Sequence, residues 1–99
     1  MKLMTKTLAK KIPELCTTEN EEDPKIVAHY FNPCGKGDWY VLEGEQQENG
    51  DWLFFGWVDL MCKELGYFTL NELEKVELPF GLGIERDLYW NEKKVSEVI

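Results

Sequence analysis

Hydrophobic and polar positions change period several times along the chain, and each change marks an element. Leu8 and Ile12 stand one helical turn apart, Thr5 can cap the start and Pro13 stops the run, so a short helix is expected over residues 6–12. Cys16 to Pro24 holds a polar, acidic stretch without periodicity and reads as an exposed, mobile loop. Three strand patterns follow. Lys25–Asn32 is rich in β-branched and aromatic residues, and Pro33-Cys34-Gly35-Lys36-Gly37 is turn chemistry. Asp38–Gln46 is the second strand and Asp51–Leu60 the third. Between them the Asn49-Gly50 pair favours a tight primed hairpin turn. Together these segments predict an antiparallel meander.

The third strand departs from simple alternation. Trp52, Phe54 and Val58 fall on one face, and Leu53, Phe55 and Trp57 on the other. A strand with one wet face carries polar residues at every second position. Here both faces are apolar, so either packed layers cover both, or one is an exposed aromatic surface of the kind that marks a partner site. Further on, Thr69-Leu70-Asn71-Glu72 matches a capping box, and Leu70, Leu73 and Val76 continue at helical spacing. A helix over 70–77 is expected, ended by Leu78-Pro79. After a glycine-marked loop at 81–83, Ile84 to Trp90 alternates as a fourth strand at a sheet edge, and the charged tail can form a final helical turn. The predicted fold is α+β: one domain over 1–99, an antiparallel sheet of about four strands (the meander plus a C-terminal strand) and two or three short helices. Trp52, Phe54, Leu70, Leu73 and Leu88 are its expected core.

Charge narrows the function classes. The formal net charge is −8, and it is uneven. Lys2, Lys6, Lys10 and Lys11 precede any acid, whereas from residue 13 onward nineteen acids face seven bases. Direct nucleic-acid binding needs clustered Lys and Arg to replace counterions, and the one arginine, Arg86, lies between Glu85 and Asp87. Direct binding of DNA or RNA is therefore disfavoured. The acidic surface serves solubility or draws basic partners. Without a long apolar run or a signal-peptide core, a cytoplasmic protein outside the membrane is expected.

Catalytic signals are sparse. Cys16, Cys34 and Cys62 are isolated, with no Cys-x-x-Cys spacing, and are expected to be free and mostly buried thiols. His29 is the only histidine. A His29–Cys34 pair has dyad-like spacing, but no oxyanion donor can be named for it, and two such ligands do not close a metal site. Arg86 is expected to form a salt bridge with an acid such as Glu72 or Glu74. No cofactor and no metal is expected.

Two stretches carry a resemblance. Glu64-Leu65-Gly66-Tyr67-Phe68-Thr69-Leu70-Asn71-Glu72-Leu73-Glu74, and Gly81-Leu82-Gly83-Ile84-Glu85-Arg86-Asp87-Leu88-Tyr89-Trp90, together with Leu3-Met4-Thr5-Lys6 and Pro13, resemble a family of small proteins catalogued as a domain of unknown function. Its members occur on plasmids, phages and conjugative elements. The resemblance implies a setting in which small acidic proteins inhibit host defence, some by offering carboxylates where the target expects phosphates. It transfers no catalytic residue.

The expected function is thus an inhibitor that binds a basic nucleic-acid-handling protein, with a type II CRISPR effector nuclease as the first candidate. A small hydrolase or nucleotide-modifying enzyme of the mobile element is the alternative. The expected contact residues are Glu43, Glu45, Glu48 and Asp51, clustered around the predicted hairpin, with Trp39 or Trp57 as the aromatic anchor.

Overall fold

The computed structural model describes residues 1–99. In chain order its elements are α1 (Lys6–Lys11), β1 (Lys25–Ile26), β2 (Ala28–Phe31), β3 (Asp38–Gln46), β4 (Trp52–Asp59), β5 (Lys63–Thr69), α2 (Leu70–Glu74), a 3₁₀ turn (Pro79–Gly81), β6 (Glu85–Arg86), β7 (Lys93–Lys94) and α3 (Val95–Val98). The class is α+β, as expected. The main sheet is antiparallel with the order β5-β4-β3-β2-β6, and β1 pairs with β7 in a separate two-stranded sheet.

The meander forms as the pattern predicts, with three corrections. The first is an additional strand: Lys63–Thr69 pairs with β4 in unbroken register from Asp59↔Lys63 to Leu53↔Thr69. The second concerns the hairpin turn. Both primed two-residue turns need positive φ at the first central residue, but Asn49 lacks it, and of the pair only Gly50 has positive φ, at 90°. Gln47 N–H donates to the Asp51 carbonyl (2.7 Å) and Gly50 N–H to the Gln47 carbonyl (2.9 Å), so residues 47–51 make a longer loop. The third is a break at Val27. Its N–H donates to the Val41 carbonyl (2.9 Å), and the predicted strand 25–32 divides into β1 and β2, which join different sheets.

A β-bulge shapes the centre of the sheet. Val41 faces Gly56 and Glu43 faces Phe55, which leaves Leu42 as the extra residue. The bulge drives the Tyr40 carbonyl against β4, where only glycine fits: a Cβ on Gly56 would lie 1.8 Å from that oxygen.

One face of the sheet carries the core. Tyr30, Trp39, Val41, Phe54 and Phe68 pack against Leu8 and Ile12 from the first helical segment, Leu70 and Leu73 of α2, and Leu3 and Ile84. Full burial of a side chain such as Phe54 contributes about 1.5–3 kcal/mol. The Tyr30 hydroxyl keeps a partner by donating to the Leu3 carbonyl (2.5 Å), and burial pushes its phenol far above the ordinary range. Helices α1 and α2 start on threonine caps: Thr5 accepts from Leu8 N–H and Thr69 from Glu72 N–H, each at 3.1 Å. Helix α2 ends at Glu74, three residues short of the predicted end.

Of the expected core residues, Trp52 is half-buried and Leu88 is 58% exposed. The C-terminal strand stops at Arg86 because the Asp87 carboxylate accepts the Tyr89 amide (3.0 Å), which turns the chain and leaves Leu88 and Tyr89 in solvent. Arg86 forms no salt bridge with Glu72 or Glu74. Its guanidinium Nε donates to the Lys2 carbonyl (3.2 Å). All three cysteines are free and exposed, against the expectation of burial, because Cys16, Cys34 and Cys62 each fall in a turn or loop.

Candidate functional site

The opposite face of the sheet is roofed only in part. Register places Glu43, Phe55 and Tyr67 in one cross-strand row and Tyr40, Trp57 and Leu65 in the next. Phe55 and Trp57 are half-buried, Leu65 is 49% exposed and Tyr67 61%. Phe55 and Tyr67 meet at a ring-centroid distance of 5.0 Å, in a tilted arrangement. Residues 14–24 pass over this face, and between that segment and the aromatic floor lies a cleft of about 330 Å³. Phe55, Trp57, Leu65, Tyr67 and Leu42 line its floor, and Glu19, Glu21 and Glu22 stand at its rim. Val95 also lines it, held by its N–H bond to the Pro24 carbonyl (3.0 Å). Of the two possibilities for this face, then, part is covered by loop and tail and part stays open.

Glu43 fastens the overlying segment. The bulge turns it into the cleft wall, where it is only 3% exposed. Oε1 accepts the Cys16 amide (2.8 Å), and Oε2 accepts the Thr18 amide (2.7 Å) and the Thr18 hydroxyl. A buried carboxylate is stable only when its oxygens are met in this way. Cys16 adopts a positive φ of 71°, a conformation uncommon outside glycine, at the point where its amide meets the carboxylate. The segment that the sequence marks as mobile is therefore tied to β3 at two consecutive turns.

The expected contact residues do not form one surface. Glu43 is buried and structural. Trp39 is 9% exposed and belongs to the core on the other face, because it is one residue out of phase with Tyr40. Asp51 Oδ1 accepts the amides of Trp52 (2.8 Å) and Asn71 (2.9 Å), which joins the hairpin to the start of α2. Glu45 and Glu48 are exposed as expected. Trp57 is the one predicted anchor that reaches the cleft.

The structure does not bring Cys34 and His29 together as a dyad. His29 Nδ1 lies 3.0 Å from Asp87 Oδ2, and Nε2 lies 2.7 Å from Asp38 Oδ1. Both nitrogens can donate at once only in the imidazolium form. The ring stacks on Tyr40 at 4.8 Å and touches Trp90 at 5.3 Å. Asp38 faces Asp59 across the strand pair, an unfavourable like-charge placement. Burial first, and then Asp38 and Asp59, push the Tyr40 phenol above its ordinary value. Among the thiols, Cys62 is pushed up by its bond to the Glu64 carboxylate. No three His, Cys, Asp or Glu side chains converge as metal ligands.

Sequence reasoning missed Leu65 and Tyr67 as site residues, together with the rim acids. The available signal was the alternation of Leu65, Tyr67 and Thr69 beside Glu64 and Phe68, which reads as an edge strand. The family described as "Protein of unknown function (DUF2958)" matches residues 2–98. No curated protein and no solved structure matches the chain.

Proposed function

The chain belongs to the DUF2958 family, and we propose that it acts by binding a basic protein in the cleft beneath residues 14–24. One observation carries this reading: a half-exposed aromatic floor lies beside carboxylates that have no cation of their own. The only ion pairs in the structure are those of His29, so Glu19, Glu21 and Glu22 have no contact ion pair, with Lys11, Lys25 and Lys94 lining the neighbouring cleft beside Glu21. Aromatic floors anchor partners by burying large area at low entropy cost, and rim charges steer encounter and select its sign. A Lys or Arg side chain lying across Tyr67 or Trp57 gains both a cation–π contact and a carboxylate. No helix is long and apolar enough to cross a membrane, and we place the activity in the cytoplasm.

The partner class proposed first is a nucleic-acid-handling protein, with a type II CRISPR effector nuclease as the case to test. Such proteins present Lys and Arg in grooves shaped for phosphates, and the carboxylates here offer the matching charge. The mobile-element setting of the resembling proteins supports that choice. The test is calorimetric titration of the purified nuclease with the wild-type chain and with a Glu19→Gln, Glu21→Gln, Glu22→Gln variant. Binding by the wild type, about tenfold weaker in the variant and weaker again in high salt, is expected. Equal binding by both proteins would remove the rim from the site. No binding by the wild type to this nuclease, or to a cationic peptide, would remove the reading.

A further inference from the structure

The two edges of the main sheet are unlike. The β6 edge is two residues long and guarded: the Arg86 amide, which points away from β2, donates to Met1 Sδ (3.2 Å), and the Arg86 side chain bonds the Lys2 carbonyl. The β5 edge is seven residues long and open. Its outer N–H and C=O groups bond no other part of the chain. Proteins blunt such edges with proline, bulges, covering loops or inward charges. Strand β5 has no proline, pairs with β4 without a bulge and carries its charges, Lys63 and Glu64, at one end only.

We infer that β5 receives its partner by strand addition: an extended basic segment pairs with the outer edge of β5 and becomes a sixth strand of the sheet. The inference rests on the cleft reading above and specifies how the partner is held. Main-chain bonds to β5 supply affinity without regard to sequence, and alternate side chains supply selection. Side chains of the added strand on the cleft side stand beside Leu65 and Tyr67, about 4.8 Å from β5. Lysine or arginine there reaches back over those two apolar residues toward Glu19, Glu21 and Glu22, all part of the same cleft. That charge complementarity favours a basic segment over a second copy of this chain, which would bring two charges of −8 together.

The test uses an acetylated, amidated peptide alternating lysine with valine, its glutamate–valine counterpart, and two N-methylated forms of the lysine peptide, each methylated at alternate residues in opposite phase. The ¹⁵N-labelled full chain is titrated with each. The lysine peptide should bind, the glutamate peptide should not, and amides of residues 63–69 should gain exchange protection. One methylated form should bind at least about tenfold more weakly, because its methyl groups replace the donors facing β5, and the other should stay within about twofold. Equal binding by both methylated forms would overturn strand addition while leaving the cleft reading intact. Failure of the parent lysine peptide to bind would overturn both. A sedimenting dimer paired through β5 that excludes the peptide would make a second copy the occupant and overturn the inference.

Discussion

Glu43→Gln tests whether the buried carboxylate holds the segment that forms the cleft. Three donors converge on the side chain: two amides and a hydroxyl. Glutamine has nearly the same shape but only one acceptor oxygen. If that oxygen serves the amide and hydroxyl of Thr18, the new NH₂ group faces the Cys16 amide, donor against donor. If it serves Cys16, both Thr18 donors lose their acceptor. A buried group left without its partner costs about 1–3 kcal/mol, and charge-assisted bonds lie toward the upper part of that range. The expected loss of stability is therefore about 2–3 kcal/mol. For a chain of this size each kcal/mol lowers Tm by about 4–8 °C. Urea unfolding followed by tryptophan fluorescence measures the global term, and hydrogen exchange at the Cys16 and Thr18 amides measures local release. Glu45→Gln, on the exposed neighbour, is the control and should stay within about 0.5 kcal/mol. A Glu43→Gln loss no greater than that of the control, with unchanged protection at Cys16 and Thr18, would refute the role assigned to Glu43.

Gly56→Ala should be among the most damaging small substitutions in the chain, at about 3 kcal/mol, because the obstructing atom is the backbone oxygen of Tyr40 and cannot swing aside; thermal unfolding checks this. A pH response is expected at the C-terminal end, where the Ser96 hydroxyl (2.6 Å) and amide (2.9 Å) bond Asp23. Those two bonds, the hydroxyl first, hold the Asp23 carboxyl below its ordinary 3.8. A depressed carboxyl stabilises above its unfolded value and loses that contribution as pH falls through the folded one. The protection factor of the Ser96 amide, its exchange rate relative to the intrinsic rate at each pH, should therefore hold at neutral pH and fall only below about 3.8; a fall well above it would contradict the role given to these two bonds.

What could be read from the sequence was what period and local chemistry decide. The Thr5 and Thr69 caps, the β3–β4 hairpin and the burial of Phe54, Leu70 and Leu73 follow from spacing alone. The rest depended on residues far apart in the chain. Glu43 and Glu45 look alike in sequence, and a bulge at Leu42 together with donors at Cys16 and Thr18 separates their fates. Trp39, expected as an anchor, lies in the core and Tyr40 faces the other side, because the direction in which a strand faces is set by its neighbours' register. Leu88 alternates correctly with Ile84 and Arg86, yet an aspartate side chain bonding two residues ahead ends the strand before it. Strand β5 was obscured because its apolar residues do not mark the buried face: Leu65 and Tyr67 stand exposed on the cleft side while Phe68 packs in the core on the other. The cleft became visible only when the acidic segment was found lying on the aromatic face.

Apart from the Glu43 ties to Cys16 and Thr18, 27 and 25 residues away, the contacts that close the open face join residues very distant in sequence. His29 and Asp87 are 58 residues apart, Ile26 and Trp90 are 64, and Asp23 and Ser96 are 73. The β3-β4-β5 meander, by contrast, joins neighbours. Because loop closure must precede the contacts that reward it, the meander is expected to condense early and the roof to arrive late. Throughout that interval Phe55, Trp57, Leu65 and Tyr67 lie bare along an unpaired edge. Refolding is thus the stage at which the chain is most exposed to self-association, and dilution should raise its yield. A basic partner present during that interval would meet a broader aromatic surface than the finished protein offers, so order of mixing, as well as concentration, should influence how much complex forms.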